Sequence, residues 1–203
     1  MPARPIVVIY ANARARRSHV NRPLADALAA LPDVDVRDLY ARYPDYDIDV
    51  VAEQRALSCA DTVVLQFPMF WFSVPPLLKL WMDEVLERGW AHGPGGTALR
   101  GKSCLVVAST RGTDEGYSPE GVHRHPLASF LLPLEQMALE CGMTWRAPIA
   151  IHDAYRLDES GVQRVIAEVM AALGHGGAGD PANAANAANS ANSASTAARL
   201  ELA

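Results

Sequence analysis

Short apolar segments alternate with amphipathic segments along most of this chain, and that alternation limits the possible folds more than any other feature. Apolar runs of strand length occupy residues 5–11, 34–40, 62–68, 102–110 and 144–152. Between and after them, apolar residues recur at helical spacing in 18–31, 50–58, 75–88, 127–141 and 158–173. Continuous apolar strands separated by helices predict an α/β protein whose parallel sheet is covered on both faces.

The composition excludes several classes of protein. The chain has 203 residues, of which 50% are hydrophobic and 20% charged, with a net charge of -5. An acidic chain without an arginine stripe argues against nucleic acid as the main partner. No apolar run approaches the roughly 20 residues of a membrane span, and the first residues lack a signal-peptide pattern. We therefore expect neither secretion nor membrane insertion.

The cysteines indicate a reducing compartment. Cys59, Cys104 and Cys141 lie far apart in apolar surroundings and match no metal-ligand spacing. We expect all three to be buried, reduced thiols, and we expect no metal site. This favours a cytoplasmic protein.

The composition changes near residue 174, where Gly, Ala, Asn and Ser become dominant. The repeated Ala/Asn pattern has no apolar periodicity that could offset the entropy of ordering. We predict one folded domain over residues 1–173 and a disordered tail over 174–203.

A doubly wound sheet binds ligands at the carboxyl ends of its strands. Three of these ends carry informative loops, which are residues 10–21, 68–74 and 110–125. The first loop, "YANARARRSHVN", contains no glycine, so it matches neither the dinucleotide fingerprint nor a P-loop. It brings Ser18 to the start of a helix with Asn21 three residues later, where a phosphate can be held. The alternative is that Ser18 only caps the helix and that the nearby Arg14, Arg16 and Arg17 are only solvated.

The second loop places four large apolar residues, Met69, Phe70, Trp71 and Phe72, directly after Pro68. Leaving this much apolar area in water is unfavourable by roughly 25 cal/mol per Å². The loop either folds into the core, meets a second subunit, or supports a flat ligand. Beside a phosphate-binding helix, the flat ligand that fits is flavin mononucleotide (FMN).

The helix over 75–88 is apolar around most of its circumference, more than one face of a sheet can cover. This pattern, with Trp81 at its centre, predicts a subunit interface.

The third loop, "STRGTDEGYSPEGVHRHP", contains a phenol, Tyr117, and an imidazole, His123. Both can donate protons and stabilise charge that develops on a bound ring or an incoming oxygen. The alternative is that each is an ordinary surface or packing residue.

Together, "IYANARARRSHVN", "QFPMFWFSVPPLLKLWMDEVLERGWAHGPGGTALRGK" and "STRGTDEGYSPEGVH" resemble the flavodoxin-like NAD(P)H:quinone oxidoreductases. The resemblance covers about residues 6–173. With "LYARYPDYDIDVVAEQRAL", it is similar to the bacterial branch that serves as ancillary subunit of the glutathione-regulated potassium-efflux system (Kef type). It implies a flavodoxin-like, doubly wound five-stranded sheet of order 2-1-3-4-5.

The resemblance also implies site residues by position. The phosphate segment corresponds to Ser18, His19, Val20 and Asn21, and the flavin-flanking turn to Met69, Phe70, Trp71 and Phe72. The loop along the ring edge corresponds to Thr110, Arg111, Gly112 and Thr113. Tyr117 and His123 match the pair that lines the nicotinamide and quinone pocket.

Two positions depart from the family pattern. Asn12 stands where the family has histidine, so it can donate a hydrogen bond but cannot carry charge. Arg111 stands where the ring-edge loop has glycine. Its side chain could crowd the flavin or lie outward, where its guanidinium could stabilise negative charge.

The function implied is an FMN-dependent NAD(P)H dehydrogenase (quinone), which transfers a hydride from NADH or NADPH to the flavin and then to a quinone. Azo-dye or free-flavin reduction by the same route is an alternative. A flavodoxin-type electron carrier is a further alternative, although the net charge of -5 is small for one. The resemblance also implies a homodimer, and a cytoplasmic location at the inner membrane through docking on the cytosolic domain of a potassium-efflux antiporter.

Overall fold

The computed structural model describes residues 5–15 and 18–175. Its strands are β1 (Ile6–Tyr10), β2 (Val34–Asp38), β3 (Thr62–Pro68), β4 (Ser103–Ser109), β5 (Thr144–Trp145) and β6 (Ile149–Ile151). Its α-helices are α1 (Asn21–Ala29), α2 (Leu39–Arg42), α3 (Val50–Cys59), α4 (Pro76–Val85), α5 (Leu127–Glu140) and α6 (Glu159–Ala172). A 3-10 helix spans Glu115–Tyr117.

The strands form one parallel sheet of order β2-β1-β3-β4-β5, with β6 also paired to β4. Ile6 of β1 lies between Val34 of β2 and Thr62 of β3, and this register continues along the strands. The predicted strand order and α/β class are confirmed. The carboxyl ends of β1, β3 and β4 therefore lie next to one another at one edge of the sheet.

The predicted fifth strand is interrupted. Thr144 and Trp145 pair with the start of β4, and Ile149–Ile151 pairs with its end. Pro148 lies in the gap, and a proline lacks the N–H that a sheet ladder requires. The second piece, β6, reaches the edge of the sheet where β4 ends.

Helices and strands share a core on one face of the sheet. Alternate strand residues such as Val7, Ile9 and Phe67 pack there with residues of α3, α4 and α5. Ile6, Val8 and Tyr10, which alternate with them, are buried as well. Both faces are therefore covered, as the apolar strands predict.

Trp81 corrects the argument for a subunit interface. The residue is 1% exposed and belongs to this core, together with Leu77, Leu78 and Val85 of the same helix. The segment 39–57 contributes Leu39, Tyr43, Ile48 and Leu57 to the same cluster. It therefore covers the apolar surface of α4 that one face of the sheet cannot cover. Trp81 is not available to a second subunit.

A buried carboxylate joins the segment over 37–53 to α4. Glu53 is fully buried and accepts hydrogen bonds from Arg37, Tyr43 and Trp81. The Tyr43 bond is 2.6 Å and the Trp81 bond 3.0 Å. With these donors every lone-pair direction of the carboxylate is occupied, which is the condition for burying a charge.

The cysteine prediction is partly wrong. Cys104 and Cys141 are buried, whereas Cys59, the last residue of α3, is exposed. Burial raises the pKa of the Cys104 thiol to about 12 and that of Cys141 to about 11. Neither buried thiol forms a thiolate near neutral pH.

The chain divides into two compact units, residues 1–166 and 167–203. All residues discussed below belong to the first unit. In the second, the described residues end α6 and form a turn at Gly174. Residues 176–203 of the predicted tail, like Arg16 and Arg17, lie outside the described residues, and the boundary at 173 stays a prediction.

Among the described residues, no helix combines the length and apolar character required to cross a membrane. Within the same residues, no group of three or more His, Cys, Asp or Glu side chains could hold a metal ion.

Candidate active site

A cavity of about 530 Å³ opens where β1, β3 and β4 end. Ten of the predicted site residues line it, which are Asn12, Ser18, His19, Val20, Asn21, Met69, Phe70, Trp71, Thr110 and Arg111. The other lining residues are Arg14, Pro68, Ser109, Ala154 and Tyr155. The volume lies in the range of cofactor sites, roughly 300–1,000 Å³.

One end of the cavity is formed by the loop before α1. The helix begins at Asn21, later than predicted, and its N-cap residue, Val20, makes no side-chain hydrogen bond to it. The Ser18 hydroxyl accepts a hydrogen bond of 3.1 Å from the backbone N–H of Arg22, and Pro23 has no N–H. The N–H of Asn21 and the positive end of the helix dipole favour an anion at this end.

Asn21 connects the three strand ends. Its Nδ2 donates to Ser109 Oγ at 2.7 Å, and its backbone carbonyl accepts from Gln66 Nε2 at 2.7 Å. Asn21 Oδ1 is buried without a hydrogen-bond partner in the part of the chain that the structure describes. A buried acceptor without a donor is unfavourable, so a hydroxyl or N–H group of a ligand fits here.

Asn12 orders the first loop instead of carrying charge. Its Nδ2 donates to the Tyr10 hydroxyl at 3.2 Å, and its Oδ1 accepts from the backbone N–H of Arg14 at 3.0 Å. Burial raises the pKa of Tyr10, and the hydrogen bond from Asn12 opposes that shift. The Arg14 guanidinium lies 5.9 Å from the centre of the Phe70 ring and so faces the aromatic turn.

The aromatic turn is strained. Paired backbone hydrogen bonds of 2.9 and 3.0 Å between Phe70 and Ser73 enclose Trp71 and Phe72. Their φ angles are 47° and 63°, both positive as in a type I′ turn, which ordinarily has Asn and Gly at these two positions. Bulky residues in this region cost of order 1–3 kcal/mol each. Trp71 is nevertheless 94% exposed, so packing against the described residues does not compensate for its conformation.

Phe72 joins the turn to the predicted catalytic pair. Its ring lies 5.2 Å from that of His123 and 5.1 Å from that of Phe130 on α5. The Tyr117 and His123 rings are 4.4 Å apart. Phe72, Tyr117 and His123 therefore form a cluster beside the cavity, together with Gly112 and Thr113, and none of these five lines it.

The Tyr117 hydroxyl accepts a hydrogen bond of 3.1 Å from Thr110 Oγ1. Because Thr110 acts as the donor, the phenolic proton of Tyr117 remains available to another acceptor. Thr110 itself lines the cavity, so it connects the cavity to the cluster.

Gly112 allows the pair to approach the loop backbone. A Cβ atom there would lie 2.8 Å from Tyr117 Cε2 and 3.1 Å from His123 Nε2. The first distance is shorter than van der Waals contact permits. Thr113 supports the same loop, because its hydroxyl accepts from the backbone N–H of Gly116 at 3.0 Å.

Sequence reasoning missed the loop after β6. Tyr155 and Ala154 line the cavity, but the ligand-binding ends considered were those of the first, third and fourth predicted strands. Arg111 is exposed, and its guanidinium lies 5.2 Å from the centre of the Tyr155 ring. Arg111 therefore lies against Tyr155 while it also lines the cavity.

The parallel sheet, its order and the cavity at its carboxyl edge define a flavodoxin-like α/β protein. The chain belongs to the family of flavodoxin-like fold whose sequence model matches residues 4–174. Among curated relatives, the glutathione-regulated potassium-efflux system ancillary protein KefF of Salmonella arizonae is 46% identical over 159 residues. The match covers 78% of this chain and 89% of that protein.

Solved structures give the same fold. General stress protein 14 of Treponema denticola, in complex with FMN, is 36% identical with a TM-score of 0.78 over 83% of this chain and 97% of that one. An NADPH-quinone reductase from P. pentosaceus is 26% identical with a TM-score of 0.74 over 87% and 99% of the two chains.

Proposed function

We propose that this protein is an FMN-dependent NAD(P)H:quinone oxidoreductase. The observation that carries the proposal is the strained, exposed Trp71 at a cavity whose other end is the N-terminus of α1. Strain at an exposed aromatic residue indicates a role that requires it there. The FMN-bound and quinone-reductase relatives support the same function.

The phosphate of FMN fits the end of the cavity formed by residues 18–21. The Asn21 N–H at the start of α1 and the Ser18 hydroxyl can bind its oxygens, and Arg14 adds a positive charge to the same cavity. Asn21 Oδ1 lacks a donor within the described residues, so it can accept a hydrogen bond from a hydroxyl of the ligand's sugar chain. These residues would hold the cofactor at its polar end.

The ring of FMN fits the aromatic turn. Trp71 offers an exposed flat surface that a flat ligand can cover, at a gain of roughly 25 cal/mol per Å² of apolar area. Bound FMN supplies the hydride chemistry, since it accepts a hydride from a reduced nicotinamide and passes it to an acceptor. The protein contributes position and charge stabilisation.

Tyr117 and His123 supply proton chemistry. The Tyr117 O–H has its acceptor side occupied by Thr110 and its proton free to donate. His123 packs against Tyr117, so the two can hold negative charge on an incoming quinone oxygen and deliver a proton to it. The same surface would receive the nicotinamide first and the quinone second, which predicts ping-pong kinetics.

The test begins with purified protein reconstituted with FMN. Binding should quench the flavin fluorescence and leave a yellow chromophore on the protein, and absence of both contradicts the cofactor proposal. NADH and NADPH are then mixed rapidly with the loaded protein. Direct reduction of the bound flavin supports an enzyme, whereas reduction too slow to support turnover supports a flavodoxin-type carrier.

Quinones, azo dyes and free flavin are compared as acceptors in the same assay. Parallel double-reciprocal lines with a quinone support the ping-pong route. A larger kcat/KM with an azo dye or with free flavin reassigns the natural acceptor.

We also propose a homodimer. A second cavity of about 400 Å³ lies between α4 and α5, with Met82, Leu86, Leu134 and Met137 among its lining residues. A second copy can cover this apolar surface, and two-fold dimers are the commonest oligomers. A monomer mass by light scattering at micromolar concentration would contradict the dimer.

Association with a potassium-efflux antiporter is proposed from the relatives named KefF. The protein would act in the cytoplasm and dock on the cytosolic domain of the transporter. Co-purification tests this association, with this protein and the antiporter each tagged and expressed in the same cells. Failure to associate leaves a free-standing reductase.

A further inference from the structure

Three exposed side chains from two loops meet at the rim of the cavity. The guanidinium carbons of Arg111 and Arg156 lie 5.2 and 5.3 Å from the centre of the Tyr155 ring. Both distances are within the range of cation–π contacts. One aromatic ring therefore contacts two positively charged side chains.

The two loops are fixed to each other by their backbones. Thr110 N–H donates to the Ile151 carbonyl at 2.9 Å, and Ala154 N–H donates to the Thr110 carbonyl at 3.0 Å. Asp153 N–H donates to the Gly112 carbonyl, also at 3.0 Å. The meeting of Arg111 with Tyr155 thus follows from strand pairing and does not depend on side-chain rotamers alone.

Neither guanidinium is neutralised by a carboxylate in the part of the chain that the structure describes. Within residues 5–15 and 18–175, no carboxylate lies within 4.0 Å of Arg111 or Arg156. Asp158 is close in sequence, but its carboxylate accepts from the Gly161 N–H at 2.7 Å and the Ser160 hydroxyl at 2.9 Å. Two positive charges against one ring raise the local positive potential, which favours an anion.

The cluster of Arg111, Tyr155 and Arg156 adjoins the end of the cavity that favours an anion. Arg111 and Tyr155 line the cavity together with Ser18, His19 and Asn21. The His19 ring makes a hydrogen bond with the Leu157 carbonyl, which connects the loop after β6 to the loop before α1. Arg111 therefore faces the same cavity as the residues of the phosphate segment.

We propose that Arg111 and Arg156, held over Tyr155, bind a phosphate group of a nucleotide ligand. Guanidinium groups bind phosphate through paired hydrogen bonds, and the ring orients them while it leaves their N–H groups free. The inference rests on the proposed function for its ligands. The phosphate belongs either to FMN or to the nicotinamide nucleotide, and the experiment distinguishes the two.

The experiment compares the double variant Arg111→Gln/Arg156→Gln with Arg55→Gln. Arg55 is exposed on α3 and does not line the cavity, so Arg55→Gln removes a charge without touching the site. Dissociation constants for FMN and riboflavin are measured by fluorescence quenching. Those for NADP+ and NAD+ are measured by calorimetry on protein loaded with saturating FMN.

Loss of these contacts should weaken the phosphate ligand roughly tenfold or more. A higher Kd for FMN with an unchanged Kd for riboflavin assigns the phosphate of the flavin. A higher Kd for both nicotinamide nucleotides assigns their shared phosphates, and a higher Kd for NADP+ alone assigns its additional phosphate. Values for all four ligands within twofold of Arg55→Gln would overturn the proposal, as would equal weakening of FMN and riboflavin.

Tyr155 provides a second test. Tyr155→Phe keeps the ring and should bind the affected ligand as the wild type does, whereas Tyr155→Ala should weaken it in the same direction as the arginine variant. Equal affinities of Tyr155→Ala and the wild type contradict the role of the ring. These binding measurements need no turnover. An inactive wild type would therefore refute the proposed function, whereas the phosphate subsite would still be tested by the dissociation constants.

Discussion

Arg37 donates two hydrogen bonds, of 2.9 and 2.7 Å, to the carboxylate of the fully buried Glu53. This ion pair joins β2 to α3, and through Trp81 it reaches α4, the helix that follows the aromatic turn. Glu53→Gln removes the negative charge and one acceptor oxygen, so the buried guanidinium keeps an ion pair only with Asp35, at 3.0 Å. Removal of one member of a buried pair costs about 3–5 kcal/mol.

We expect Glu53→Gln to lower the free energy of unfolding in urea by about 3 kcal/mol. Glu84→Gln on the exposed side of α4 is the control and should change it by less than about 0.5 kcal/mol. A Glu53→Gln variant as stable as Glu84→Gln contradicts the role of the pair.

The same carboxylate predicts a pH dependence of stability. Burial would raise the Glu53 pKa, but the hydrogen bonds from Arg37, Tyr43 and Trp81 outweigh it and lower the pKa. A lowered folded pKa gives stability that is complete above the unfolded value, about 4.3, and is lost as the pH falls through the folded value. The difference in unfolding free energy between wild type and Glu53→Gln should therefore shrink from pH 6 to pH 3. A constant difference over that interval would show that folding leaves the Glu53 pKa unchanged.

Trp71→Gly should separate stability from cofactor binding. The φ of 47° suits glycine, and the 94% exposed indole makes few contacts that would be lost. We expect the apo protein to gain about 1 kcal/mol in urea unfolding while its Kd for FMN rises at least tenfold. Val51→Gly, at another exposed residue but in the helix α3, should be destabilised instead. Loss of stability in Trp71→Gly contradicts the assigned strain.

Tyr117→Phe removes the phenolic proton and keeps the ring against His123. His123→Ala removes the imidazole. Turnover with a quinone should fall roughly ten- to a thousandfold in each, as for other acid–base groups. His125→Ala is the control, because His125 is exposed in the same loop and lies outside the proposed pair. Rates equal to that control in both variants would assign Tyr117 and His123 to packing.

Gly112→Ala tests the close approach of the pair. The added Cβ would lie 2.8 Å from Tyr117, so the ring must move. Gly116→Ala adds the same methyl group in the same loop, where the nearest atom is Thr113 Oγ1 at 3.4 Å. We expect quinone turnover to fall at least tenfold in Gly112→Ala and less than twofold in Gly116→Ala, a difference of about 1 kcal/mol in barrier. Equal rates would show that the ring position is unimportant.

The sequence predicts β3 with its observed bounds, Thr62–Pro68, because a buried central strand is a continuous apolar run. It misplaces the end of β2, because the Asp38 side chain accepts from the Ala41 N–H and starts α2 there. The burial of Trp81 depends on covering by residues 39–57, which is a long-range packing event that helical periodicity does not encode.

The site divides in the same way. Residues on the loops after the first, third and fourth predicted strands could be found, because strand ends meet at one edge of a parallel sheet. Tyr155 was missed, because the interrupted fifth strand concealed that β6 reaches that edge. The contact of Arg111 with Tyr155 follows from the pairing of β4 with β6, which no local pattern reveals.

The φ angles of Trp71 and Phe72 also bear on how this protein can diverge. Random substitution at a turn of this geometry drifts toward Asn and Gly, because either residue stabilises the fold. Aromatic residues persist there only while selection for ligand binding opposes that drift. A descendant that keeps the sheet but carries Asn-Gly between the counterparts of Phe70 and Ser73 is therefore expected to have lost its cofactor.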